Sequence, residues 1–235
     1  MIVDLSEVAG SRLSVATGVC IVGGGAAGVT IAKSLLDRGI EVCLLEAGGV
    51  KIEQEQQALL TGESIGEPVK IEEGRFRRLG GATGSWTGRC AALDPIDFER
   101  RDWVPQSGWP IACNKLQPYY RAAEAMCGFA EPWHESVPVF ERLAALKLTD
   151  EAVSPFLWRF APNGRNRYQN WGERYLSILK RSPVASLFLH ASLTSIEDGP
   201  TDNRVRAIVA TSSTGGSVRV EAQHFVLCCG GIENA

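Results

Sequence analysis

The stretch from Val19 to Gly49, VCIVGGGAAGVTIAKSLLDRGIEVCLLEAGG, leaves a chain like this few choices of fold. An apolar run, Val19 to Val22, stops at Gly23, and Gly23, Gly25 and Gly28 then spell G-x-G-x-x-G. Ala27, Ile31, Ala32, Leu35 and Leu36 follow at helical spacing. Gly39 stands where a helix end favours a residue free to take positive φ. A second apolar run, Val42 to Leu45, ends in an acid, Glu46. The pattern predicts strand, glycine turn, helix, strand and acid, the opening βαβ unit of an α/β fold with a parallel sheet.

Each part of that unit has a physical task at a dinucleotide. Gly23 permits the tight exit from the strand, Gly25 lets a diphosphate approach the backbone, and Gly28 lets the helix press on the sheet. The free N–H groups at the helix start, with Ala26 and Ala27 in its first turn, face the phosphates. Glu46, followed by Ala47, is placed to accept hydrogen bonds from a ribose diol, and its charge disfavours a 2′-phosphate. It lies close to the roughly 20-residue spacing expected of the ribose-binding acid. A lone glycine motif is weak, because glycine turns are common, but here strand, helix, second strand and acid arrive in register. The motif by itself does not separate FAD from NAD.

Composition excludes other classes. The 235 residues are 45% hydrophobic and 22% charged, ordinary for a globular chain, and a unit of this size has ample core. A net charge of −3 points away from nucleic acid and anionic membranes. The basic cluster Arg75, Arg77 and Arg78 reads as a solvated face. Seven cysteines form no C-x-x-C pair and read as small buried hydrophobes in a reducing, cytoplasmic compartment. No signal peptide and no run of membrane-spanning length is expected.

The rest of the chain changes texture several times. Residues 1–13 read as a tail or short lead-in helix, and a short helix is expected around Gln54 to Leu60. A second glycine cluster, RFRRLGGATGSWTGRC, carries Gly80, Gly81, Gly84 and Gly88 interleaved with Thr83, Ser85 and Thr87 around Trp86. It is poor in helix and strand propensity and rich in exposed N–H and hydroxyl groups, which suits a loop lying on a flat polar ring system. LQPYYRAAEAMCGF, FERLAAL and NWGERYLSILKRSP read as helices, the last stopped by Ser182 and Pro183, while SPFLWRFAP looks extended. Trp133, His134, Trp158, Arg159, Phe160 and Tyr168 are candidate pocket-lining residues, although such aromatics more often fill cores. From Val184 onward, LFLHASLTSIE, RVRAIVATSS and SVRVEAQ alternate in polarity and predict a β-meander feeding a final buried strand, Phe225 to Cys229.

Four separated motifs together resemble the glucose–methanol–choline (GMC) oxidoreductases, in particular a bacterial branch similar to pyranose oxidases and sugar dehydrogenases. They are the glycine fingerprint ending L-L-E-A-G, then L-G-G-A-T-G-S-W, then D-P-I-D-F with W-V-P-Q-S-G-W-P-I, and the closing F-V-L-C-C-G-G-I-E-N-A. The resemblance implies a Rossmann-like FAD/NAD(P)-binding domain and FAD as cofactor. It assigns Gly80, Gly81, Thr83, Gly84, Ser85 and Trp86 to a loop along the flavin, backbone near Leu193 to the adenine, and Gly230 to the returning strand's end. Some relatives carry a histidine before the tryptophan that bonds covalently to flavin. Ser85 stands there, which implies noncovalent FAD.

The expected organisation is a lead-in (1–13), a discontinuous FAD-binding domain (14–110 and 184–235), and a partial helical, substrate-side insertion (111–183). In the resembled family a distant C-terminal histidine, paired with histidine or asparagine, takes the substrate proton. His134, His190 and His224 match no such motif and read as structural or surface residues. The chain is therefore expected to be the FAD-binding half of an enzyme oxidising CH–OH groups of a small-molecule alcohol or sugar by hydride transfer to flavin N5, with no catalytic residue of its own and no turnover alone. Substrate, electron acceptor and oligomeric state are not legible. Two competing readings are an NAD(H)-dependent reductase on the same βαβ unit, which has no need of the Trp86 loop, and a nonenzymatic dinucleotide-binding module.

Overall fold

The computed structural model describes residues 1–66, 70–129, 158–161, 170–199 and 204–234. Among them run strands β1 (Ile2–Asp4), β2 (Arg12–Val22), β3 (Val42–Leu45), β4 (Arg89–Cys90), β5 (Arg159–Phe160), β6 (Ala185–Leu189), β7 (Ser192–Asp198), β8 (Val205–Thr211) and β9 (Ser217–Leu227). The helices are α1 (Ala26–Leu36), α2 (Gln54–Ala58), α3 (Gln117–Cys127) and α4 (Trp171–Arg181). The chain divides into two compact units, Met1–Trp86 with Asn170–Ala235, and Thr87–Gln169.

The first unit is built on a seven-stranded sheet in the order β1-β6-β3-β2-β9-β8-β7. The strands from β1 to β9 in that order pair in parallel, and β9, β8 and β7 form the antiparallel meander. This is the α/β architecture that the opening motif demands. Alternation along the strands sends side chains to two faces. Cys20, Val22, Cys43, Leu45 and Phe188 pack on one face with residues of the meander. Val19, Ile21, Val42, Leu44 and Leu187 pack on the other with Ala32 of α1 and Leu179 of α4. Phe188 is fully buried, and burying a side chain of that size contributes about 1.5–3 kcal/mol.

Local sequence explains α4 well. Asn170 caps it by accepting from the Glu173 N–H at 3.4 Å, and Lys180 and Arg181 complement the dipole in the last turn. Trp171, Gly172, Tyr175 and Leu179 make its buried face, and Ser182 ends it ahead of Pro183. Expected in the insertion, α4 belongs instead to the first unit, because that apolar face covers the sheet.

Four expectations about the strands change. The opening residues form β1, not a tail or helix: Ile2, Val3 and Asp4 pair with Leu187, Phe188 and Leu189, and Leu5 enters the core. β2 begins at Arg12 rather than Val19, because Arg12–Thr17 find partners in Ser217–Ala222. β9 joins two expected strands into one, and LFLHASLTSIE is broken in two at His190, whose φ of +50° turns β6 away from β7.

In the second unit β4 pairs antiparallel with β5, and α3 forms as its apolar spacing predicts. Arg89 lies 4.2 Å over the Trp158 ring, and Arg159 lies 4.4 Å over Phe129. Trp158 and Phe160 are exposed rather than packed in a core. Trp133, His134, Tyr168 and the FERLAAL segment lie outside the described residues.

Candidate cofactor site

At the carboxyl ends of the parallel strands the first unit holds a cavity of about 830 Å³, large enough for an extended organic ligand. Its floor is the turn after β2. Gly23 has φ +98°, and a Cβ there would stand 2.5 Å from the Cys228 carbonyl oxygen. A Cβ on Gly28 would stand 1.9 Å from the Gly23 carbonyl oxygen, so the helix approaches the strand as closely as glycine allows. Gly25 caps α1 without a side-chain hydrogen bond, and a Cβ on it would meet nothing within 4 Å. The first N–H groups of α1 therefore have neither a side-chain cap nor steric cover on this side.

Glu46 ends β3 at 5% exposure. Its Oε2 accepts from the Gly24 N–H and its Oε1 from the Gly48 N–H, both at 2.8 Å. Burial pushes its pKa up, and the two N–H groups and the Arg77 charge offset that only in part. The carboxylate both ties the glycine turn to the strand end and borders the cavity with Ala47.

Of the residues expected on the cofactor, Gly23, Gly25, Ala26, Ala27, Glu46, Ala47, Gly81, Leu193 and Gly230 line this cavity together. Gly28 lies behind the turn. The second glycine cluster mostly turns to packing. Gly80 (φ +91°) leaves no room for a Cβ, which would meet the Gly172 N at 2.5 Å. The Thr83 hydroxyl donates to the Gly80 carbonyl at 2.6 Å and accepts from the Trp171 N–H at 3.1 Å. Gly84 lies against the Arg78 guanidinium, the Ser85 N–H donates to the Ala82 carbonyl, and Trp86 meets Trp171 edge-on at 6.3 Å. Between Gly80 and Gly88, only Gly81 and its neighbour Ala82 border the cavity.

The basic cluster overturns its expected role. Arg75 and Arg77 line the cavity, and Arg78 is buried. Arg75 pairs with Glu233 at 2.6 Å, and Arg77 donates to the Ser192 hydroxyl at 2.7 Å. A run of arginines reads as solvated because its partners, at Ser192 and Glu233, are far along the chain. Cys228 and Cys229 also reach the cavity. The seven cysteines form no disulfide. His224 is exposed on β9, and among the described residues no cluster of ligating side chains holds a metal site.

A glycine turn, an uncapped helix start and a buried strand-end acid meet at one cavity of this α/β fold. Known structures carry the comparison further. A pyridoxine 4-oxidase from Mesorbium loti is 19% identical with a TM-score of 0.59, over 93% of this chain and 50% of that one. A formate oxidase is 16% identical with a TM-score of 0.60, over 94% and 46%. A variant of the Aspergillus oryzae RIB40 formate oxidase, solved for the effect of a mutation on FAD modification, is 15% identical with a TM-score of 0.57, over 94% and 46%. These neighbours are GMC oxidoreductases, and the fold here is that of their FAD-binding Rossmann-like domain. Among curated proteins, 6'''-hydroxyparomomycin C oxidase of Streptomyces lividus is 28% identical over 123 residues, 47% of this chain and 22% of that one. No protein-family model matches. The chain spans about half the length of the solved relatives and matches less than a quarter of the curated one.

Proposed function

We propose that this chain is the FAD-binding part of an oxidoreductase acting on a CH–OH group of an alcohol or sugar. The observation that carries the reading is the open Gly25 at the uncapped start of α1, facing the same cavity as the buried Glu46. The diphosphate of FAD fits against Gly23, Gly25, Ala26 and Ala27, where N–H groups and the helix dipole favour anionic oxygens. Glu46 and Ala47 take the adenosine sugar, Leu193 the adenine side, and Gly81 and Gly230 continue the wall toward the flavin. Arg75 and Arg77 add positive charge to a cavity that receives an anion. Gly80, Thr83, Gly84, Ser85 and Trp86 support the flavin side by packing the loop that presents Gly81. With Ser85 before Trp86, the cofactor is held noncovalently.

When bound, the flavin supplies a hydride acceptor at N5, and the chain's own residues bind it, orient it and shield one face from water. The chain alone does not turn over substrate. Of the described histidines, His190 is committed to two carboxylates, His224 is exposed on β9, and neither borders the cavity. A cytoplasmic setting suits seven thiols without a disulfide, and among the described residues no helix is long and apolar enough to cross a membrane.

Purification tests the reading directly. The expected protein is yellow, releases FAD on acid or heat denaturation, and gives no steady-state oxidation of alcohols or sugars with a dye acceptor. A colourless protein that takes up NAD(H) but not FAD overturns the cofactor assignment. Turnover by this chain overturns the claim that it lacks a base.

A further inference from the structure

His190 stands outside the cavity, yet both of the cavity's side walls hang from it. It is 9% exposed and holds φ +50°, a region that bulky non-glycine residues enter only when their surroundings impose it. Its backbone N–H donates to the Gly48 carbonyl at 3.1 Å, and the next N–H, of Ala191, donates to the Glu46 carbonyl at 2.9 Å. Its Nδ1 is 2.7 Å from Asp4 Oδ1 on β1, and its Nε2 is 2.7 Å from Glu53 Oε2 at the start of α2.

From Glu53 the connections continue. The Glu53 carbonyl accepts from the Gln57 N–H at 3.0 Å within α2. The Gln57 side chain then holds the stretch that lines the cavity, donating to the Arg75 carbonyl at 3.1 Å and accepting from the Arg77 N–H at 2.7 Å. The Arg77 guanidinium reaches Ser192, two residues after His190, and closes the ring. One wall of the cavity is the Arg75–Arg77 stretch, and the other is Ala191–Leu193. The imidazole is the joint between them.

We propose that His190 is a positioning residue for the cofactor cavity, and that the cavity holds FAD most tightly while this imidazole is protonated. The inference rests on the reading of the cavity as a flavin site. An imidazolium donates from both nitrogens and so satisfies Asp4 and Glu53 together, whereas neutral imidazole donates from one and turns a lone pair toward the other carboxylate. Among the described residues, the charged groups that face the ring are those two carboxylates, with Ser6 also donating to Asp4 Oδ1. Burial pulls the pKa of His190 down, but the hydrogen bonds and charges of Glu53 and Asp4 outweigh it and leave it raised. Loss of the proton therefore turns a lone pair toward one of the two carboxylates, and the ring no longer ties β1 to α2 and the Arg75–Arg77 wall at once.

The test is FAD affinity of the full chain, read by flavin fluorescence quenching between about pH 5 and 9, beside an NMR titration of the His190 ring. The wild type weakens by about tenfold as the ring loses its proton, with matching midpoints. His190→Gln, which carries neither the positive charge nor a titrating proton, binds about tenfold more weakly at the acid end and shows a flat profile. Glu53→Gln keeps a partner for the ring but removes a charge, so the midpoint moves to lower pH, which keeps the test decisive if His190→Gln does not fold. His224→Gln leaves the profile unchanged. FAD binding that is constant while the ring titrates overturns this inference and leaves the flavin reading intact. Absence of FAD binding at every pH overturns both.

Discussion

In the turn after β2, a Cβ on Gly28 would stand 1.9 Å from backbone, while one on Gly25 would meet nothing within 4 Å. In the second cluster, Gly80 and Gly84 are both pressed, by the Gly172 backbone at 2.5 Å and by the Arg78 guanidinium at 2.9 Å, and Gly81 alone borders the cavity with Ala82. Two glycine-rich segments that look alike as sequence therefore divide their glycines differently. The first leaves one glycine, Gly25, open on the cavity side and packs Gly23, Gly24 and Gly28 closely. The second spends most of its residues holding the start of α4, through Thr83 on the Trp171 N–H and Trp86 on the Trp171 ring. Glycine content marks a close approach, and only the fold says what approaches.

Substitutions break or sharpen that contrast. Gly28→Ala should have the largest effect, a loss of about 3 kcal/mol or more in urea unfolding, because the clash is with backbone that cannot move aside. A Gly28→Ala protein of wild-type stability would remove the packing half of the comparison. Gly80→Ala should cost about 2 kcal/mol, combining a positive φ with the contact on Gly172. If that variant keeps its stability and loses flavin instead, the second cluster is a ligand loop after all.

Stability against pH should change less and depends on Asp4 and His190. The folded pKa of His190 is raised, so its contribution is complete below the unfolded value near 6.5 and fades as pH climbs through the folded one. Burial raises the pKa of Asp4, but the Ser6 and His190 hydrogen bonds outweigh it and lower it overall. That contribution is present above the unfolded value of 3.8 and fades as pH falls through the folded one. Thermal melting should thus peak between the two, and His190→Gln should flatten the alkaline side. Gly25→Ala should move stability least, within about 0.5 kcal/mol, while a bulkier Gly25→Leu empties the site of flavin as judged by absorbance. Full flavin occupancy in Gly25→Leu would sink the diphosphate assignment.

What was legible in sequence was local. The βαβ unit showed itself because Val19–Val22, the glycines, α1 and Glu46 are consecutive, and their periodicities do not depend on distant partners. The meander showed itself for the same reason. β1 stayed hidden because three residues carry no period, and what makes them a strand is β6, far along the chain. Arg77 and His190 stayed hidden likewise. The partners of His190, Asp4 and Glu53, are 186 and 137 residues away. A histidine bounded by alternating residues looks like any strand position until the acids on either side of its ring are placed.

The pairing of β2 with both β3 and β9 has a consequence for how the protein is made. On the ribosome β3 follows β2 almost at once, but β9, which zips along ten of its residues, emerges only after the whole second unit. Throughout that interval the nascent sheet presents a raw edge bearing Leu13, Val15 and Cys20. Closure must wait for a non-local partner, so maturation should be slow and in need of chaperone cover during translation.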